Sequence, residues 1–187
     1  SRTATKMKLD MNDTVELPSG VTASAINFII TVKGPKGEVK RKLTAPSIKV
    51  KVEGSMLALS AKKGTKREKT AINTLVAHVR NMVKGVQQPW VYKLKVCSSH
   101  FPMNVTLQGK DFTIKNLFGE KVPRTIKIRD GVTVKITGQD ITVESPDLAL
   151  AGNTASDIEQ LSRITHVDRR VFQDGIHMTE KCGVKVE

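Results

Sequence analysis

Aromatic residues are scarce: five Phe, one Tyr and one Trp among 187 residues. Proteins that hold single-stranded nucleic acid stack its bases on successive rings. So thin a supply excludes that as the main mode of binding. Cysteine is scarcer still. Cys97 and Cys182 form no CxxC, which speaks against a disulfide framework and for a reduced, intracellular setting. No apolar run approaches the ~20 residues of a membrane span. Residues 1–14 are polar, with scattered basic side chains, and carry no signal peptide. No membrane partner is expected. Acidic residues are outnumbered, 18 against 31 basic, and the net charge of +13 points to a polyanion.

The marks of catalysis are missing too. His78, His100, His166 and His177 match no metal-ligand spacing. There is no GxSxG elbow, no HExxH and no nucleophilic cysteine signature. Ser98-Ser99-His100 puts serine beside histidine, but neighbours on an extended segment face opposite ways, so no dyad is expected. Gly34-Pro35-Lys36-Gly37 lacks GxxxxGK[ST] and reads as a turn rather than a phosphate loop. The expectation is a protein without enzymatic activity, metal or cofactor.

What is present is patterning. From Thr65 to about Val86 the apolar residues Ala71, Ile72, Leu75, Val76, Val79, Met82, Val83 and Val86 recur at helical spacing. Thr65 and Glu68 form a capping box, and Gly85 and Pro89 are expected to stop the helix. Before it come short strands over Val15–Leu17, Val21–Ala25, Phe28–Lys33, Glu38–Leu43, Ile48–Val52 and Met56–Ala61, after a loose start over residues 1–14. Strict alternation points Ile48, Val50 and Val52 inward. A shift of 84 then aligns the chain with itself. Identities fall at Val21, Thr22, Phe28, Ile30, Val50, Lys51 and Gly54, which meet Val105, Thr106, Phe112, Ile114, Val134, Lys135 and Gly138. With a four-residue insertion Gly64-Thr65 meets Gly152-Asn153. Asn153 would then cap a second helix reaching about Ile164, with Ala155, Ile158, Leu161 and Ile164 inward.

The expected fold is α+β: two duplicated units, each a small, mostly antiparallel sheet with one helix, followed by a C-terminal tail. Their limits are residues 1–88 and 89–187. Trp90 at the junction suits an interdomain or core position, with base stacking as the other possibility.

Several stretches resemble one family. RRVFQDGIHMTEK at 169–181, VKGPKGEVKR at 32–41, HVRNMVKGV at 78–86, SSHFPMNV at 98–105 and FGEKVPR at 118–124 look like the universal sixth large-subunit ribosomal protein, ninth in eukaryotic usage, in its archaeal and eukaryotic branch. The resemblance implies a structural role in the large ribosomal subunit. Its partners would be ribosomal RNA and neighbouring ribosomal proteins. It also implies docking near the stem of the sarcin–ricin loop, beside the site of translational GTPases. Carried over, the RNA-facing residues are Ser99, His100 and Pro102 in one loop and Arg169, Arg170, Gln173, Gly175 and His177 in the tail. His177 stands where relatives commonly have tyrosine.

Charge is uneven. Residues 1–89 hold 17 basic and 6 acidic residues, and 90–187 hold 14 and 12. Within the second half the excess lies in 90–137, which adds Lys93 and Lys95 to the RNA-facing set. Lys62, Lys63, Lys66 and Arg67, with Lys69, crowd the start of the first helix. The macrodipole there disfavours cations and a phosphate would relieve them, although a solvated face fits as well. Few rings and many cations suit folded RNA held by phosphates, 2′-hydroxyls and shape. The competing reading is a basic protein–protein adaptor that uses exposed sheet edges.

Overall fold

The computed structural model describes residues 9–26, 28–43, 47–168 and 170–186, with backbone alone for Leu9, Glu53 and Lys63. Two compact units meet at Pro89/Trp90. The first contains β1 (Leu9–Glu16), β2 (Thr22–Ile26), β3 (Ile29–Gly34), β4 (Gly37–Lys42), β5 (Lys49–Glu53), β6 (Met56–Gly64) and α1 (Lys66–Gln87). Its strands divide between two antiparallel sheets, β1-β6-β5 and β2-β3-β4. The loose start expected over 1–14 lies outside the described residues up to residue 8. From there on it is strand, because Met11 and Val15 pair inward with Ala61 and Leu57 while polar residues alternate between them.

The capping box of α1 forms: the Glu68 carboxylate accepts the Thr65 backbone N–H at 2.8 Å and also takes its hydroxyl. The inner stripe of α1, from Ile72 to Val86, is buried over Leu57, Leu59, Ile30 and Val32. Gly85 does not stop this helix; it is buried within it. The stop comes at Gln88, which is extended (φ −132°, ψ 116°) as the residue before a proline must be. Gly34 lacks a side chain because the last turn of α1 leaves no room for one. A Cβ there would meet Val86 Cγ2 at 2.7 Å. Val52 also departs from expectation. Ile48 is buried and Val50 half-buried, but Val52, at the turn end of edge strand β5, is exposed.

The second unit contains β7 (Trp90–Cys97), β8 (Asn104–Gln108), β9 (Asp111–Lys115), a short 3-10 turn (Leu117–Gly119), β10 (Arg124–Lys127), β11 (Thr133–Thr137), β12 (Asp140–Ser145), α2 (Leu148–Leu161), β13 (Gly175–Lys181) and β14 (Val184–Lys185). One sheet runs β10-β9-β8 and the other β11-β12-β7-β13-β14. The expected tail is therefore built in: β13 pairs antiparallel with β7 and extends the sheet.

The two units repeat the same order of strands, but not in one register. Val50, Leu57 and Leu59 match Val134, Ile141 and Val143 at an offset of 84. The hairpins differ. Ile26↔Ile29 closes β2–β3 and Gln108↔Asp111 closes β8–β9, an offset of 82. Ile30 and Val32 therefore match Phe112 and Ile114 in the cores. Phe28, aligned with Phe112 by sequence, is a turn residue at φ 60° and 56% exposed.

The second helix starts earlier than expected. Its cap is Asp147, whose carboxylate accepts the Ala149 N–H at 2.8 Å, and Asn153 is an exposed mid-helix residue. Gly152 is not a start signal either. A Cβ there would lie 3.0 Å from the Tyr92 hydroxyl, so the glycine admits the Tyr92 ring against α2. Ala155 and Ile158 are buried as expected, and Leu161 is half-buried. Ile164 packs on the core from beyond the helix end.

Candidate nucleic-acid interface

β7 leaves the sheet at Cys97, and the chain bends at once around a single carboxylate. Asp174 accepts the Ser99 N–H (2.8 Å) and hydroxyl (2.6 Å) on Oδ1, and the His100 (2.9 Å) and Phe101 (3.4 Å) N–H groups on Oδ2. Its side chain is 3% exposed. Burial would raise this carboxyl; the Ser99 hydroxyl and the three N–H groups outweigh it and hold Asp174 well below the usual carboxylate range. Asp174 directly precedes β13, where Gly175 pairs with Cys97. One side chain thus clamps residues 99–101 to the start of the last long strand.

This bend brings Ser99 and His100 together, against the expectation for an extended segment. Ser99 Oγ lies 3.0 Å from His100 Nδ1. The serine proton goes to Asp174, so the Ser99 oxygen accepts from His100 Nδ1, which also lies 3.5 Å from Asp174 Oδ1. A hydrolytic triad has histidine between serine and acid, and that order is absent here.

The rings are gathered as well. His100 stacks on Phe172 with centroids 4.7 Å apart, Phe172 meets Phe118 edge-on at 4.9 Å, and Phe118 meets Phe101 at 6.0 Å. Asn116 and Phe118 reach this arrangement through left-handed backbone (φ 60° and 54°), and the Asn116 amide donates to the Pro102 carbonyl at 3.0 Å. Three of the chain's five phenylalanines share this cluster, with Phe101 and Phe118 about 40% exposed.

The remaining expected residues are more scattered. Arg170 is 90% exposed, and its Nε and Nη2 bind Asp168 at 3.1 and 2.8 Å; this pairing lowers the carboxyl of Asp168. Gln173 lies beside it, and its carbonyl is 3.0 Å from His177 Nε2. His177 pairs across the sheet with Lys95, and Lys93 binds Glu180 at 2.9 Å. Arg169 lies outside the described residues. Gly175 is buried, and the space a side chain would need is bordered by Ser162 Oγ and His177 Nε2, so it offers no open approach for phosphate. Ser99 spends both its donors on Asp174 and acts as part of the clamp. Lys62, Lys66 and Arg67 are exposed in the first unit, and the side chain of Lys63 is outside the described residues.

Two residues that complete the surface were not singled out from sequence. Asp174 is one; its signal is a lone acid before a glycine that opens a strand. The other is Arg124, at the end of the FGEKVPR stretch. Its Nη1 donates to the carbonyls of Leu161 and Arg163, both at 2.9 Å, and its Nε binds Glu120 at 2.8 Å. It thereby satisfies orphan carbonyls at the end of α2. Ser162 ties the same end to β13 by accepting the Ile176 N–H at 2.9 Å. Between this helix end and residues 167–177 runs a cleft of about 660 Å³ with Arg163, Arg170, Gln160 and Gln173 on its walls. Among the described residues no group of three His, Cys, Asp or Glu side chains is placed to hold a metal. No helix among them is long and apolar enough to cross a membrane.

The family model described as Ribosomal protein L6 matches residues 17–89 and again 101–175, once per unit. Relatives named large ribosomal subunit protein uL6 are similar over nearly the whole chain. That of Nanoarchaeum equitans is 44% identical over 92% of this chain and 94% of its own length. Those of Natronomonas pharaonis and Haloarcula marismortui are 40% and 41% identical, covering 91% and 89% of this chain and 96% and 94% of their own. The chain belongs to the ribosomal protein L6 family, a structural and non-enzymatic one, in the branch these archaeal relatives represent.

Proposed function

We propose that this large-subunit ribosomal protein grips ribosomal RNA with the surface built around Asp174. The observation that supports the reading is the clamp itself: it joins the 98–102 loop to residues 170–177, two segments some 70 residues apart that the family motifs had separately marked. His100 Nε2, Arg170, Gln173 and His177 then offer donors and acceptors to phosphates and 2′-hydroxyls, and Lys95 lies beside His177. The ion pair of Arg170 with Asp168 lies at the surface, so it is weak and a phosphate competes with it. The family likeness of these motifs supports seating the surface at the stem of the sarcin–ricin loop, beside translational GTPases, on cytoplasmic ribosomes. Lys62, Lys66 and Arg67 serve as a second, electrostatic contact from the first unit.

The test is binding of the full chain to large-subunit ribosomal RNA across a salt series. Arg170→Ala should weaken binding and flatten the salt slope by about one unit. His100→Ala should weaken it at every salt concentration. If neither change alters binding while Lys62→Ala with Lys66→Ala abolishes it, the first unit is the RNA contact and this reading fails.

A further inference from the structure

The matching hairpin tips of the two units are dressed differently. In the second unit, Gln108, Gly109, Lys110 and Asp111 make a polar tip; Gly109 supplies a positive φ of 62°, and Lys110 is bound by Asp130. In the first unit the same turn carries Ile26, 68% exposed, Phe28, 56% exposed, and Ile29, 42% exposed. Phe28 is held at φ 60°, where glycine or asparagine is normally chosen. A strained backbone that presents an apolar ring to solvent weakens the isolated chain. Exposed apolar side chains grouped in this way mark an interaction surface.

The register shows what adjoins the tip. Ile26 pairs with Ile29, and Ile29 with Lys42; one pleat further on, Ser24 pairs with Thr31, and Thr31 with Lys40. Paired residues share a face of the sheet, so an apolar corner is flanked by the lysines of β4. Lys40 is bound to Glu38 at 3.1 Å, and Lys42 has no ion pair among the described residues. We propose that this corner docks another protein of the large subunit through a segment whose apolar side chains are flanked by carboxylates. Two of the three exposed side chains are aliphatic and offer no stacking plane for a base, which favours protein over RNA. A second copy of the chain would set one lysine-bearing strand against another. The proposal rests on membership of the large subunit and not on the Asp174 surface.

The experiment places a photoreactive p-benzoyl-phenylalanine at position 28 of the full chain within assembled large subunits. Irradiation should join it to one protein, at a peptide with Asp or Glu within a few residues of the attachment point. Lys40→Glu with Lys42→Glu should reduce that product roughly tenfold. A product with RNA, a product with another copy of the chain, or no product overturns the proposal. Phe28→Gly provides a second arm. Glycine suits the turn, so the melting temperature should hold or rise while the protein contact, read with the photoreactive group at position 26, is lost. Retention of the contact overturns the proposal.

Discussion

Removing the Asp174 carboxylate should unseat the 98–101 loop. Asp174→Ala strips the acceptor from one hydroxyl and three N–H groups. Hydrogen bonds to a charged group contribute about 1.5–3 kcal/mol each but are not additive within one cluster. A loss of about 3–5 kcal/mol is expected, a large share of a domain's stability. At about 4–8 °C per kcal/mol for a unit of this size, the melting temperature falls by roughly 12 °C or more. Asp174→Asn should lose less, since one oxygen still accepts. The pH dependence follows from the sign of the shift. The folded pKa lies below the unfolded value near 3.9, so the contribution is fully present above that value. It is lost as pH falls toward the folded pKa. Parent and Asp174→Asn should therefore differ most at neutral pH and converge below about pH 4. Urea unfolding of the full chain, followed by Trp90 fluorescence at several pH values, reads both effects. A parent–variant gap under about 1 kcal/mol at pH 7, or one unchanged down to pH 3, would refute the reasoning.

Other outcomes follow from the cores. A fragment of residues 90–187 should melt cooperatively by circular dichroism, because its buried cluster is drawn from that unit alone; a broad, non-cooperative transition would count against independent folding. Val134→Asp should unfold the second unit by burying an unpaired carboxylate, while the neighbouring exposed Lys135→Asp should cost under about 1 kcal/mol by denaturant titration. Gly152→Val should cost about 1–3 kcal/mol in the same assay, since its branched carbons would press on the Tyr92 hydroxyl.

Much of the fold was legible in the sequence, for a reason the hairpins expose. The shift of 84 misplaced β2 and β3 by two residues, yet two is the period of a strand. Ile30 and Ile114 were read as inward, and both are buried. Phe28 misled because its identity with Phe112 hid a turn residue. The second helix was harder to place because Gly152 and Asn153 carry the residue types of a helix start. Only the contact with Tyr92 shows what Gly152 serves. Of the candidate interface, the sequence marked both segments as one RNA-facing surface but not the bond that joins them. The bond that does so runs from Asp174 to Ser99, 75 residues away, and leaves no periodic trace. The burial of Gly175 against Ser162 and His177 leaves no periodic trace either.

The clamp also orders events in time. Residues 98–101 leave the ribosome that makes them long before Asp174 is synthesised, so their three N–H groups wait on a partner more than 70 residues downstream. Closing a loop of 75 residues is slow compared with forming the neighbouring hairpins, and it can occur only after α2 has been translated. A chain halted before residue 174 can fold its first unit and display the lysines at the start of α1, but it cannot shape the loop around His100. The Asp174 surface therefore forms only on chains translated past residue 174, and the RNA binding proposed for it would pass over shorter products without a separate inspection step.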